Sequence, residues 1–383
     1  MKKKIFWAVA AILLALLVIT QFGSYEDKAK RRFKVLNEPS DEVIIGVCWP
    51  FSVNRDGMAD GLHLALDEIN TRRLAGPYTI RLVERDDEFD SKKHKNIARE
   101  FADRADMSAV LGYYDDGPSI RASSIYESSR LLHLMIGANN TDMTSHGFNY
   151  INRTILSSDR IALKLAKLTT DLGYRKIVVL WEEDAYGEDL AYQYQVGLDQ
   201  LNAQVVYQWS YSRKNVDFRL LVNDLKIVDA DMIFFSGLEP IAGDFLRMAR
   251  KVGLKTPVIG AFSNTPEMRA HAGAVGFEGA IMFDFYNPCS QTPENRLFVN
   301  KFFSRYGRYP DAWAAQSYDA LHILAKAIKF TGSRNPLDLS YAIRYADAFN
   351  GANGRYKFDR AGNLEDKPIY LYKIQNGVPV LLE

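Results

Sequence analysis

"RKIVVLWEEDAYGEDLAYQYQVGLDQL", Arg175 to Leu201, decides how this chain is read. It opens as a short apolar run suited to a buried strand, "RKIVVLWEED". "GEDLAYQYQVGLDQL", Gly187 to Leu201, then has the period of a helix with one inward face. "AQVVYQWSY", Ala203 to Tyr211, returns to strand. A strand joined to the next by a helix implies a parallel pair with the helix packed over it.

The same alternation runs through most of the chain. "VIIGVCW", Val43 to Trp49, is strand-like, and "GMADGLHLALDEIN" sets Met58, Leu62, Leu66 and Ile69 on one helical stripe. "YTIRLVERDD", "SAVLGYY" and "LHLMIGA" are further strands, separated by the helices "KKHKNIAREFADRA" and "SIRASSIYESSR". After "NYINRTI" the alternation restarts, with strands at "DMIFFSG", "PVIGAFS" and "GAIMFDFY". A long helix, "AWAAQSYDALHILAKAIKFTG", follows, then turns around a short strand and a hairpin about Asn376–Gly377. Two such series predict an α/β chain of two doubly wound parallel-sheet lobes. At 383 residues the chain also exceeds one typical core.

Hydrophobic content of 47% and charged content of 25% are those of a globular protein. A formal net charge of +1 leaves no nucleic-acid footprint. Two cysteines, Cys48 and Cys289, are too few for a disulfide framework or a cysteine metal site; Cys48 is expected as a buried free thiol and Cys289 as a loop residue, with a bridge between them the alternative. There is no G-x-S-x-G turn, no P-loop and no G-x-G-x-x-G after a strand. None of the six histidines has the two-histidine spacing of a metal site. The expectation is a non-enzyme that needs neither cofactor nor metal.

"IFWAVAAILLALLVITQF", Ile5 to Phe22, follows Lys2–Lys4 and is apolar apart from Thr20 and Gln21. As a helix it would reach about 27 Å, close to a hydrocarbon core. The expectation is an N-terminal transmembrane anchor over residues 1–24 and a juxtamembrane linker over 25–41. A cleaved leader is the alternative, although small residues at both −3 and −1 of a cleavage site are hard to find. Basic residues lie on both sides, with "KAKRRFK" after the run, so charge alone leaves the orientation open.

Open parallel sheets bind ligands beyond the carboxyl ends of their strands. That rule selects Trp49–Ser52, Asp86–Glu88, Tyr113–Gly117, Ala138–Thr141, Glu182–Tyr186, Gly237–Glu239 and Phe262–Thr265. "VERDDEFD", "EEDAYGEDLA", "LRMARKVGLKTPVIG", "QSYDALHILAKAI" and "YKFDRAGN" occur in the order found in type I periplasmic solute-binding proteins. From about Glu42 onward the chain resembles their Leu/Ile/Val-binding branch, which serves ABC transporters. The resemblance implies lobes joined by three crossing segments, 42–155 with 287–350 and 156–286 with 351–383. It also implies hinge closure on a small solute, a body in the periplasm or extracellular space, and a membrane permease as partner. A ligand sensor or adaptor of the same fold, uncoupled from transport, is the alternative.

In that family, donors after the third and fourth strands read an amino acid's carboxylate, and an acid in the second lobe reads its ammonium. Thr141 matches the hydroxyl donor, Asn139 a backbone donor, and Tyr186 an aromatic contact. Asp116, beside Gly117, stands where serine is usual, and Phe262 where the ammonium-binding acid is expected. Two readings of Asp115 and Asp116 stay open. One aspartate caps the following helix while the other faces water, or Asp116 accepts hydrogen bonds from a ligand amine, amide or hydroxyl. Trp49, with Tyr113 or Tyr114, is expected as an aromatic wall, Phe262 as an apolar wall, and Glu239 as a helix-start carboxylate near ligand. Asp86 and Asp87 are expected to orient a loop, and Glu182–Asp184 to be a solvated strand end.

Overall fold

The computed structural model describes residues 28–53, 56–238, 240–262 and 264–382. The apolar run Ile5–Phe22 and the start of the linker lie outside them. Among the described residues no helix is long and apolar enough to cross a membrane.

Five parallel strands form the first sheet: β1 (Glu42–Trp49), β2 (Thr79–Asp86), β3 (Met107–Gly112), β4 (Leu132–Met135) and β5 (Ile151–Arg153), in the order β2-β1-β3-β4-β5. Strand alternation sends Val43, Ile45, Val47 and Trp49 to one face and Ile44 and Cys48 to the other. Helices 58–71 and 312–331 cover the first face; helices 91–103 and 116–128 cover the second. Both faces are therefore dry, which is why the strands read as continuous apolar runs.

The second sheet contains β6 (Lys176–Glu182), β7 (Gln204–Tyr211), β8 (Met232–Ser236), β9 (Val258–Gly260) and β10 (Ile281–Asp284), all parallel. A small hairpin, β11 (Phe349–Gly351) and β12 (Gly354–Tyr356), stands apart. Antiparallel β13 (Tyr370–Gln375) and β14 (Val378–Leu381) complete the order β14-β13-β10-β9-β8-β6-β7. Their turn is the expected hairpin: Asn376 and Gly377 have φ of 53° and 74°, as a type I′ turn requires. The carboxylate of Glu278 accepts both turn N–H groups, at 3.0 and 3.1 Å.

The chain passes between the two sheets after β5, after β10 and after β12. The β11–β12 hairpin packs on the first lobe, because Asp319 of helix 312–331 accepts the N–H groups of Ala352 and Asn353, each at 2.7 Å. Residues 351–356, expected with the second lobe, therefore sit on the first. Helices 293–306 and 336–345 complete the covering layers. Both cysteines are free, Cys48 buried and Cys289 exposed.

Strand order reverses beside β1 in the first sheet and beside β6 in the second. At the first reversal Gly112 has φ of 121°, and a Cβ there would lie 2.1 Å from the Cys48 carbonyl oxygen. Only glycine lets β3 approach β1 so closely before the chain turns out through Tyr113. Residues leaving both reversal points enter the space between the lobes.

Candidate ligand-binding cleft

The loop after β4 is held from behind. The guanidinium of Arg153 is fully buried and donates to the carbonyls of Asn139 and Asn140 at 2.8 and 2.9 Å. Ser158 adds bonds to the Asn139 carbonyl from its N–H (2.8 Å) and its hydroxyl (3.1 Å). The side-chain oxygen of Asn139 accepts the Ser158 hydroxyl at 3.0 Å, so Asn139 faces inward and offers its backbone N–H outward. With the carbonyls turned back, the N–H groups of Asn139 and Thr141 and the Thr141 hydroxyl form a row of donors.

Each donor in that row already meets a protein carboxylate. Asp116 Oδ1 accepts the Asn139 N–H at 2.7 Å. Asp189, on helix 185–200 of the second lobe, accepts the Thr141 N–H and hydroxyl, both at 3.0 Å. Asn140 also bridges the lobes, its amide donating to the Ala185 carbonyl at 2.8 Å. The lobes thus meet through a short polar latch at the mouth of helices 116–128 and 185–200.

Neither aspartate of the turn caps its helix. The Asp115 side chain makes no capping bond, and Asp116 spends Oδ1 on Asn139. Asp116 Oδ2 is buried without a hydrogen-bond partner. Burial pushes the Asp116 carboxyl up to about 7, against the pull of the Asn139 and Asn140 N–H groups and of Arg153. Burial likewise raises Asp115 to about 6, with Asp87 and Asp184 repelling it and His94 and Arg213 attracting it. Asp115 thus feels charges of both lobes across the gap.

Trp49 has no exposed surface, and its indole N–H donates to Asp56 at 3.1 Å. It backs the half-buried Tyr114 and Trp313, with all three ring centroids 5.2–5.4 Å apart. Phe89 packs edge-on to Tyr114 at 5.5 Å. Tyr114, Trp313 and Phe89 thus form a partly exposed aromatic cluster, with Trp49 buried behind it. Tyr113 turns into the core, its hydroxyl 2.7 Å from that of Tyr126.

In the second lobe Asp184 caps helix 185–200, accepting the N–H groups of Tyr186 (3.1 Å) and Gly187 (2.7 Å). This fixes the backbone of the half-buried Tyr186 at the start of helix 185–200. Glu182 is not a solvated strand end: it is 5% exposed and takes a two-point ion pair from Arg213, at 2.5 and 2.9 Å. Phe262 is 1% exposed and lies in the second lobe's core, its ring against Gly260, rather than forming a wall of the cleft. Glu239 lies outside the described residues.

Asp86 and Asp87 do organise their loop. Asp86 accepts the N–H groups of Ser52 and Glu88 at 3.0 Å, and Asp87 accepts that of Phe89 at 3.1 Å. Asp116, Asn139 and Thr141 are therefore brought together, with Gly117 half-buried beside them. Sequence reasoning missed Asp189, Arg213, Trp313 and Asp56. Asp189 falls in the "YGED" stretch one turn past Tyr186, which places it on the same helix face; Trp313 opens the long helix and gave no cleft signal.

Two doubly wound α/β lobes that meet at their strand-order reversals have the architecture of a solute-binding protein. A sequence model of the family described as "Periplasmic binding protein" matches residues 47–378, and the chain belongs to that family, in its type I, branched-chain amino acid division. It is 24% identical over 339 residues to an "Amino acid binding protein" of Pseudomonas aeruginosa, covering 87% of this chain and 90% of that one. It is 28% identical over 313 residues to the leucine-specific-binding protein of Salmonella typhimurium, covering 80% and 82%. A Desulfitobacterium hafniense ABC transporter substrate-binding protein, solved with Leu, superposes with a TM-score of 0.80 at 30% identity, covering 89% of this chain and all of that one. A benzoate-bound solute-binding protein of R. palustris shares the fold at a TM-score of 0.74 and 20% identity, covering 89% and 95%.

Proposed function

We propose that this solute-binding protein captures a small cationic or neutral polar solute, an amine, amide or hydroxylated compound, and does not hold an α-carboxylate in its relatives' way. One observation carries the reading: the three donors after β4 are already taken by Asp116 and Asp189. A second carboxylate brought to that row would meet like charge in a partly dry site, which is costly. An ammonium or amide N–H instead gives Asp116 Oδ2 the partner it lacks.

The ligand would bridge the lobes and favour the closed form through contacts made only there. The lobes would be 42–155 with 287–350 and 156–286 with the remaining chain, apart from the 351–356 hairpin. Closure would create the surface read by an ABC-type permease. The body would lie outside the cytoplasm, with Ile5–Phe22 as an uncleaved anchor that raises its local concentration at the membrane; resistance of the membrane-bound chain to alkaline extraction tests this.

Calorimetric titration tests the ligand class. Leucine and isoleucine should bind weakly or not at all, while amines and amides of matching size bind, and Asp116→Ala abolishes that binding. Tight leucine binding that survives Asp116→Ala and vanishes with Thr141→Ala overturns the reading.

A further inference from the structure

We propose that the helix Lys28–Asn37 lies on an anionic bilayer surface and fixes the orientation of the first lobe to the membrane; this rests on reading Ile5–Phe22 as the anchor. The helix is not a loose tether. Arg32 at its centre is 2% exposed and donates to the carbonyls of Ser129, Ala102 (2.8 Å) and Arg104 (3.1 Å). These carbonyls end helices 116–128 and 91–103, where the last turn lacks intrahelical donors and the dipole is negative. One guanidinium therefore closes two helix ends at once.

Ala29 and Leu36 are buried beside Arg32, and Lys28 pairs with Asp103. Arg334 holds the far end by donating to the carbonyls of Val35, Glu38 and Glu42. The helix is thus clamped at both ends and its middle. Its remaining face is set by that clamp: Lys30, Arg31, Phe33, Lys34 and Asn37 are all exposed, with Phe33 61% exposed. The helix contains no acidic residue.

Only Gly23–Asp27 separate Phe22 from Lys28, and five residues reach about 18 Å at full extension. That keeps Lys28 within about 18 Å of the end of the apolar run, near enough for the helix to lie on the headgroup layer. Three exposed cations there would contribute about 1 kcal/mol each against anionic lipid, and an exposed phenylalanine suits the interface. The basic stretch that blurs the orientation signal in the sequence thus has two other uses: Arg32 locks the fold, and its neighbours face lipid. A rigidly mounted lobe would present the cleft at a fixed height and angle.

The test uses the full chain in nanodiscs, with Cys289→Ser and one added cysteine carrying a bimane, and doxyl-lipid as quencher. Asn37→Cys reports the helix face, Val18→Cys the apolar run, and Ile227→Cys, 87% exposed on the second lobe, a site with no predicted lipid contact. In discs rich in phosphatidylglycerol, the probes at 18 and 37 should be quenched and that at 227 should not. Quenching at 37 should fall at least twofold in phosphatidylcholine discs and in the triple variant Lys30→Glu, Arg31→Glu, Lys34→Glu. Quenching at 18 without quenching at 37, or equal quenching at 37 and 227, overturns the surface proposal and leaves the anchor standing. A probe at 18 that escapes quenching overturns the anchor, and the helix proposal with it.

Discussion

Each lobe places a buried carboxylate beside the point where its strand order reverses, and the two are treated oppositely. Glu182 of the second lobe receives both arms of Arg213 at 2.5 and 2.9 Å. Asp116 of the first lobe has one backbone N–H at 2.7 Å and an orphaned second oxygen. Arg153 attracts Asp116 through space but spends its guanidinium on the carbonyls of Asn139 and Asn140. The second lobe compensates its charge internally; the first keeps an unmet demand at the cleft. A buried carboxylate without its partner is costly, and a ligand that supplies the partner recovers that cost on binding.

The largest expected effect attacks the compensated side. Arg213→Ala leaves Glu182 buried and unpaired, and should destabilise the fold by about 2–3 kcal/mol. The figure sits below that for a wholly buried pair because the Arg213 side chain is 48% exposed. Adding Glu182→Gln should recover most of the loss in a denaturant melt. If Arg213→Ala costs under about 0.5 kcal/mol, the pair is a surface ornament and the contrast between the lobes collapses.

The uncompensated side should respond with the opposite sign. The Asp116 carboxyl sits at about 7 in the fold against an ordinary 3.8. Its contribution to stability is full below about pH 4, is lost as pH rises towards 7, and stays lost above that. Asp116→Asn keeps an acceptor for the Asn139 N–H and carries no charge. It should therefore match the wild type at pH 4 and exceed it by about 1–3 kcal/mol at pH 8. Asp56 and Asp284 are also raised to about 7 by burial, so both proteins keep a declining limb and only its size differs. A difference that stays flat between pH 4 and 8 would mean that Asp116 is already compensated.

Much of this architecture is legible in the chain because burial on both sheet faces leaves unbroken runs such as Val43–Trp49, and φ > 0 at a hairpin selects Asn376–Gly377. β5 was not legible: it has only three residues, Ile151–Arg153, too few to show a period. The cleft was half legible. Strand ends pointed to Asp116, Asn139 and Thr141, since topology alone sends those loops inward. Partners were hidden, because Asp189 lies 48 residues from Thr141 and Arg213 lies 31 from Glu182. Side-chain direction was hidden as well: Phe262 follows a strand end as Thr141 follows β4, yet its ring folds back over Gly260 into the core.

The smallest effect tests the latch itself. Thr141→Val removes the hydroxyl bond to Asp189 and keeps the N–H bond, so about 0.5–1.5 kcal/mol of inter-lobe attachment is lost. That should lower the closed-to-open ratio of the ligand-free protein by roughly two- to thirteenfold, read from spin-label distances between the lobes. Affinity then separates two roles for Asp189. If the latch only helps closure, Asp189→Asn weakens every ligand by the same small factor, since less of the protein is binding-competent. If Asp189 also guards the donor row, the same change frees Thr141 and selectively improves carboxylate ligands over amines. The second outcome is expected, because both Thr141 donors end on the one carboxylate. A uniform weakening would instead assign the exclusion of carboxylates to Asp116 alone.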